Sequence, residues 1–341
     1  RGTKRTPPDQ YNDALKRLNL CTDIHVIRNH SPFLFVFDTL REILWLRLHR
    51  VDASVDLEFF SKFSTLLAAL GGASKRIGYH LNAFWRSSLL SHPVFLNYYH
   101  HISDIFARAG TPVDDVGLSR VEVDDAARGR VERFLAEAGW AAPVRLIGVN
   151  VNAGDLSLER RWPAENFAAV IEALLARHAE ARVVLTGSPD EAAYVRTVFD
   201  RLAEKTRDRV RVTAGVWSLD DFLAALDRMT CFVTNDSGPM HLAAAQGVPM
   251  VSLWGPARPD FYAPRVERHE IIYENFTCSP CLFYMFTTFE GLWCGHEGWC
   301  MQAIQTARVL AAAERLLAGG SPLPLAAGGA TSPSGAGVTS A

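Results

Sequence analysis

Long apolar runs are missing from this chain. Its purely apolar stretches, such as residues 281–286 (Cys-Leu-Phe-Tyr-Met-Phe), fall far short of the roughly 18 residues that a membrane-spanning helix needs. An excess of one charge is missing too. The 35 Lys and Arg stand against 37 Asp and Glu, a net charge of −2 before histidine, which argues against a general polyanion binder and against nucleic acid as a partner. Cysteine is scarce, with six in 341 residues, too few for a disulfide scaffold. Residues 1–10 begin with Arg1 rather than methionine and carry the charge of a secretory signal without its apolar core. The chain is therefore expected to be a fragment or processed product, and its location cytoplasmic. What remains is an ordinary globular composition, 48% hydrophobic and 21% charged, in a length that accommodates two domains, each with its own core.

From about residue 145 onward, short β-branched or apolar runs at 146–151, 182–186, 210–213, 231–234 and 249–254 alternate with helical-period segments at 164–178, 190–203, 219–228 and 239–246. Continuous apolar strands between amphipathic helices imply a parallel sheet covered on both faces, hence a doubly wound domain. The earlier part is less regular. Strands are expected over 23–27, 53–57 and 76–79, and helices over 40–50, 62–70 and 101–109. Turn signals at 110–120 precede a charged helix over 121–138. The expected layout is an α/β domain over 1–120, a linker over 121–144 and a Rossmann-like domain over 145–318. A Gly, Ser, Ala and Pro tail follows over 319–341, with too little apolar surface to offset ordering entropy.

The most informative segment reads Cys-Phe-Val-Thr-Asn-Asp-Ser-Gly-Pro-Met-His from Cys231 to His241. A strand ends at Thr234, a tight turn over Asn235, Asp236, Ser237 and Gly238 follows, and Pro239 stands at the first helical position, where its missing N–H costs nothing. The free N–H groups of that helix, the Ser237 hydroxyl and the bare backbone of Gly238 suit a diphosphate. Asp236 or Ser237 acting only as a helix cap is the plainer alternative. His241, one turn in, either faces the anion or packs. A second strand–loop–helix passage, at 150–166, carries Arg160 and Arg161 just before Trp162 and Pro163. A guanidinium there neutralises phosphate oxygens at another helix mouth, unless the pair is simply solvated surface. In a third loop, 186–191, Glu191 either accepts hydrogen bonds from ribose hydroxyls or complements a helix dipole.

With those residues in view, the passages NDSGPMHLAAAQGVPMVSLWGP, RRWPAENFAAVIEAL and VVLTGSPDE resemble the donor-binding half of the heptosyltransferase family, glycosyltransferase family 9. The likeness is specific over 146–304 and weaker over 51–78. It implies the GT-B architecture, two Rossmann-like domains around a central crevice, with the nucleotide sugar on the C-terminal domain and the acceptor on the N-terminal one. It also implies an inverting, metal-independent glycosyltransferase that moves heptose from ADP-heptose to a lipopolysaccharide-core-type acceptor, either a saccharide or a lipid-linked saccharide. Donor contacts are implied at Arg160, Glu191, Asp236, Ser237, Gly238 and His241, with Arg160 standing where the family more often has lysine. The family's opening strand and Gly-Asp loop, with its proposed catalytic aspartate, have no counterpart before Asp23, so the N-terminal domain is expected to be incomplete. A non-catalytic nucleotide-binding remnant and a GT-B sugar-nucleotide epimerase stay open as alternatives. No Asp-x-Asp motif occurs in the sequence, so no catalytic cofactor is expected. The charge growing on a departing diphosphate then falls to helix dipoles and arginine.

Two features fall outside that reading. Cys278, Cys281, Cys294 and Cys300, with His296 among them, offer four soft ligands in 23 residues. They hold either a structural zinc or iron–sulfur centre, or nothing, as free thiols packed beside Trp293 and Trp299. The segment 40–50 combines Leu40, Ile43, Leu44 and Leu48 with Arg41, Arg47 and Arg50. It is either an ordinary domain helix or a basic amphipathic helix in peripheral contact with the inner membrane, where a lipid-linked acceptor is found.

Overall fold

A computed structural model describes residues 22–58, 61–80, 84–97, 99–109, 118–140, 144–154, 157–282, 294 and 298–319. The chain forms two compact units, 1–117 and 118–341. The tail expected over 319–341 lies outside the described residues, apart from Gly319.

The first unit contains α1 (Pro32–Leu48), β1 (Ala53–Asp56), α2 (Lys62–Leu70), β2 (Lys75–His80), α3 (Phe84–Leu89), β3 (His92–Phe95) and α4 (Ile102–Arg108). Its strands pair in parallel in the order β1-β2-β3, with Val55 opposite Ile77 and Tyr79 opposite Val94. The buried Asp56 at the end of β1 pins the neighbouring helices, accepting from the Thr65 hydroxyl at 2.6 Å and from Arg86 Nη2 at 3.0 Å. The Tyr79 hydroxyl donates to the Ile105 carbonyl at 3.0 Å, and burial pushes its pKa up to about 12.

Two expectations need correcting in this unit. Residues 23–27 are not a strand. They run along α1, where the Arg28 amide and guanidinium donate to Asp38 at 2.8 to 3.0 Å and His25 bonds Glu42. Those carboxylates offer this segment better partners than a sheet edge does. The helix expected over 40–50 begins eight residues earlier, because Pro32 occupies its first turn, where a missing N–H is harmless.

The second unit opens with α5 (Asp125–Glu137) and then alternates: β4 (Arg145–Asn150), α6 (Ala164–Arg177), β5 (Ala181–Thr186), α7 (Ala192–Arg201), α8 (Glu204–Arg207), β6 (Val210–Val212), α9 (Leu219–Leu226), β7 (Met229–Asn235), α10 (Gly238–Ala245), β8 (Met250–Trp254), α11 (Pro259–Tyr262) and β9 (His269–Tyr273). Two C-terminal helices, α12 (Trp299–Gln302) and α13 (Thr306–Leu317), follow. All six strands are parallel, in the order β6-β5-β4-β7-β8-β9. Val183 and Leu185 join one core cluster while the alternate Val184 is equally buried, so both faces of the sheet are covered, as its unbroken apolar strands require.

Helix α5, within the stretch expected to be a linker, is part of this second unit. Arg130 bonds Asp221 of α9 at 2.7 Å, Arg228 bonds Glu132 at 3.0 Å, and Phe134 meets Trp217 edge-on at 5.3 Å.

Candidate functional site

The strand order fixes where a ligand can sit in the second unit. From β4 the chain moves to β5 on one side, while β7 pairs on the other. Connections that leave in opposite directions open a gap beyond the C-terminal ends of those two strands. Asn150 ends β4 and Asn235 ends β7.

A buried amide network floors that gap. Asn150 Nδ2 donates to Ser237 Oγ at 2.9 Å and to Thr234 Oγ1 at 3.2 Å, and Asn235 Nδ2 donates to the Val151 carbonyl at 3.0 Å. Asn152 Nδ2 reaches the Thr186 carbonyl at 3.3 Å, which ties in β5. Gly187 is needed there, because a Cβ would come within 2.8 Å of Asn152 Nδ2. The Oδ1 of Asn152 is buried without a partner. None of these asparagines was singled out from the sequence, although polar residues at the ends of apolar strands, Asn-Val-Asn and Thr-Asn, are the signal that marks them.

Above this floor the loop after β4 carries Arg160, placed by the fully buried Trp162. Trp162 donates its amide to Asn235 Oδ1 at 3.1 Å and its ring N–H to the Ile304 carbonyl at 3.0 Å. Arg160 Nη1 then reaches the Asp236 carbonyl at 3.0 Å and the Asp236 carboxylate at 3.5 Å, and Nη2 bonds the Ala153 carbonyl. Burial pushes the Asp236 carboxyl up and the Arg160 charge pulls it back. Burial, with the Asp236 charge adding to it, raises the nearby Tyr262 phenol to about 12. Arg161 turns the other way and lies over the Tyr194 ring at 4.4 Å, so the two arginines separate into one site residue and one packing residue.

The plainer reading of the Asp-Ser-Gly turn does not hold. Ser237 occupies the N-cap position of α10 but makes no side-chain cap bond. Its hydroxyl donates to the Asn235 carbonyl at 3.2 Å instead. The first turn of α10 is thus left without a side-chain cap, and space beside Gly238 is open. An uncapped helix N-terminus next to a guanidinium suits an anion. His241 is exposed one turn further on. Glu191 closes a capping box, accepting from the Ser188 amide at 2.9 Å.

Of the two readings of the cysteine cluster, the described residues do not support the metal centre. Among the described residues, no group of three or more His, Cys, Asp or Glu side chains is placed to hold a metal ion; His296 and Trp293 lie outside them. Cys278, Cys281, Cys294 and Cys300 are free thiols. Cys300 belongs to the apolar core, and burial, with Cys281, Cys294 and Cys278 nearby, pushes its pKa up to about 12. In the first unit, a cavity of about 690 Å³ lies beside α1. Its charged lining is already paired internally, Arg28 with Asp38 and both His25 and Arg41 with Glu42.

With the strand–loop–helix site in place, the sequence match is decisive: the family model described as glycosyltransferase family 9 (heptosyltransferase) covers residues 61–288, two thirds of the chain. The chain belongs to glycosyltransferase family 9. It is 32% identical over 113 residues to lipooligosaccharide heptosyltransferase 2 of Haemophilus influenzae, an alignment that takes in 33% of this chain and 32% of that protein. The match thus spans about a third of the length of this curated relative. By structure, the chain is similar to a family 9 glycosyl transferase from Veillonella parvula, with a TM-score of 0.69 and 23% identity over 90% of this chain and 86% of that one. It is also similar to the Escherichia coli ADP-heptose lipopolysaccharide heptosyltransferase II, with a TM-score of 0.64 and 22% identity over 83% and 82%. These similarities make the fold of this family 9 chain GT-B, with Rossmann-like α/β units. Among the described residues, no helix is long and apolar enough to cross a membrane.

Proposed function

We propose that this chain is an inverting glycosyltransferase that transfers heptose from ADP-heptose to a lipopolysaccharide-core-type acceptor at the inner face of the cytoplasmic membrane. One observation carries the reading. Arg160 and the uncapped N-terminus of α10 meet at the strand-order switch point of a parallel sheet, the place and chemistry of a diphosphate site. The family membership and the relatives' names supply the sugar.

In the proposed reaction an acceptor hydroxyl gives its proton to a carboxylate base of the N-terminal, acceptor-side unit and attacks the anomeric carbon, the bond to the diphosphate breaks, and negative charge grows on the departing group. The Arg160 guanidinium and the α10 dipole stabilise that charge. Asp236 holds Arg160 by its carboxylate and its carbonyl, and so aims the guanidinium. Ser237, Gly238 and His241 line the same helix start, and Glu191 is assigned to the ribose through the carboxylate oxygen that the capping box does not use. With no Asp-x-Asp in the sequence, transfer is expected to proceed in the presence of a chelator.

Calorimetric titration with ADP and UDP tests the donor site. Binding of ADP in preference to UDP is the expected result; binding of neither sinks the site, and preference for UDP redirects it to another sugar. Mass spectrometry of products from a nucleotide-sugar panel then identifies the donor.

A further inference from the structure

Helix α1 is turned inside out. Phe33, Val36, Phe37, Leu40, Leu44 and Leu48 follow the three- and four-residue spacing of one helix face, yet each is between 53% and 77% exposed. The face that is buried carries Asp38 and Glu42. From Phe33 to Leu48 the apolar stripe is about 22 Å long at the helical rise. Two more exposed leucines, Leu66 and Leu70, stand on α2. That helix packs against α1 through the Phe35 and Phe63 rings at 4.8 Å and through Arg47 Nε, which donates to the Leu70 carbonyl at 2.8 Å.

Within residues 32–50 the charges left exposed are of one sign. Asp38 is held by Arg28 and Arg41, and Glu42 by His25 and Arg41, so both acids of α1 are withdrawn from solvent and neutralised. Arg47 and Arg50, with His49 between them, remain exposed at the C-terminal end of the helix. Residues 22–109 of this unit carry nine Lys and Arg against seven Asp and Glu, a surplus of two positive charges in a chain whose net charge is −2.

From this arrangement we infer that α1 is a membrane-resting surface whose partner is an anionic lipid bilayer. The apolar stripe enters the acyl boundary while Arg47 and Arg50 meet lipid phosphates. A second copy paired in parallel brings arginines against arginines, and one paired antiparallel leaves Arg47 and Arg50 without the anionic partner that a bilayer supplies. The inference deepens the location part of the proposed function and rests on that reading only for the lipid-linked acceptor.

Cosedimentation of the full chain with phosphatidylglycerol-containing vesicles and with pure phosphatidylcholine vesicles tests it. The expected result is binding to the anionic vesicles and about tenfold less to the neutral ones. Two double variants, Leu40→Glu with Leu44→Glu and Arg47→Glu with Arg50→Glu, should each lower binding at least about tenfold, as expected for loss of apolar burial or phosphate contacts. Leu40 and Leu44 are exposed, so thermal melting of the leucine variant should be unchanged, whereas Arg47→Glu also removes the bond to the Leu70 carbonyl and its melting is measured alongside; the leucine variant keeps the result readable whether or not ADP binds the second unit. Failure of the native chain to pellet with anionic vesicles overturns the inference. So does pelleting that the variants do not weaken. A dimer seen by light scattering and abolished by Leu44→Glu, without vesicle binding, assigns the face to a second copy and overturns it equally.

Discussion

At the scale of single residues, Arg160 and Asp236 make the same prediction about binding and different ones about stability. Arg160→Ala removes charge-assisted bonds worth about 1.5–3 kcal/mol, so ADP affinity should fall about ten- to hundredfold by calorimetry. It also leaves the buried Asp236 carboxylate without its neutralising charge, and the melting temperature should fall with it. Asp236→Asn removes a buried charge while keeping the shape. It should weaken ADP binding by loosening the aim of Arg160 at little cost in stability, because Asp236 does not cap α10. Loss of stability with ADP affinity intact would return Asp236 to the role of a cap. These roles were partly legible in the sequence. Asp-Ser-Gly-Pro after a strand announces a helix start with open amides, but residue type does not tell Arg160 from Arg161, and only the family resemblance singles out Arg160. Their separation depends on Trp162, whose side chain docks on Ile304, 142 positions away.

At the scale of elements, the contact between β8 and β9 contains a hydrogen-bonded chain that sets a pH dependence. The Trp254 ring N–H donates to Ser252 Oγ at 2.6 Å, Ser252 Oγ meets His269 Nε2 at 2.6 Å, and His269 Nδ1 meets the Pro264 carbonyl at 2.9 Å. A carbonyl only accepts, so the proton is on Nδ1 and Nε2 accepts from the serine. Burial lowers the His269 pKa from 6.5 to about 4. Between those values the unfolded chain takes up a proton that the folded one refuses. The contribution is complete above pH 6.5 and is lost as pH falls toward about 4, amounting to about 3 kcal/mol. Denaturant unfolding measured across that window should show His269→Gln with a pH dependence flatter by about that amount. In the first unit, Asp56→Ala removes the carboxylate that neutralises the buried Arg86 between β1, α2 and α3. A loss of about 3–5 kcal/mol is expected in the same measurement. Apolar runs and helical periods were enough to locate most strands and helices of the second unit. Strands β3 and β9 escaped because His92, Pro93, His269 and Glu270 break the apolar pattern, and only their sheet partners make them strands.

At the scale of the whole molecule, charge is divided unevenly between the two units. A surplus of three positive charges in residues 1–117 is balanced by 21 Lys and Arg against 26 Asp and Glu in residues 118–341. Vesicle binding through α1 should therefore weaken with salt. Raising ionic strength from about 0.01 M to about 1 M shortens the screening length from about 30 Å to about 3 Å, while the apolar part persists; a salt-independent isotherm would mean that the arginines take no part. The sequence alone determined the α/β class, the alternation that makes a parallel sheet, the family, and the strand–loop–helix passages whose chemistry suits an anion, because each of these is written in local periodicity and short motifs. It also exposed the stripe of leucines on α1 as a choice between core and surface, without deciding it. Tertiary structure decided that choice, since Asp38 and Glu42 find their partners in Arg28 and His25 on a neighbouring segment and take the buried face for themselves. Tertiary structure alone also brought Asn150, Asn152 and Asn235 to one floor, turned Arg160 toward Asp236, and packed Cys300 into the core. Each of these depends on residues far apart in the chain whose meeting is set by strand order, and no local pattern encodes strand order.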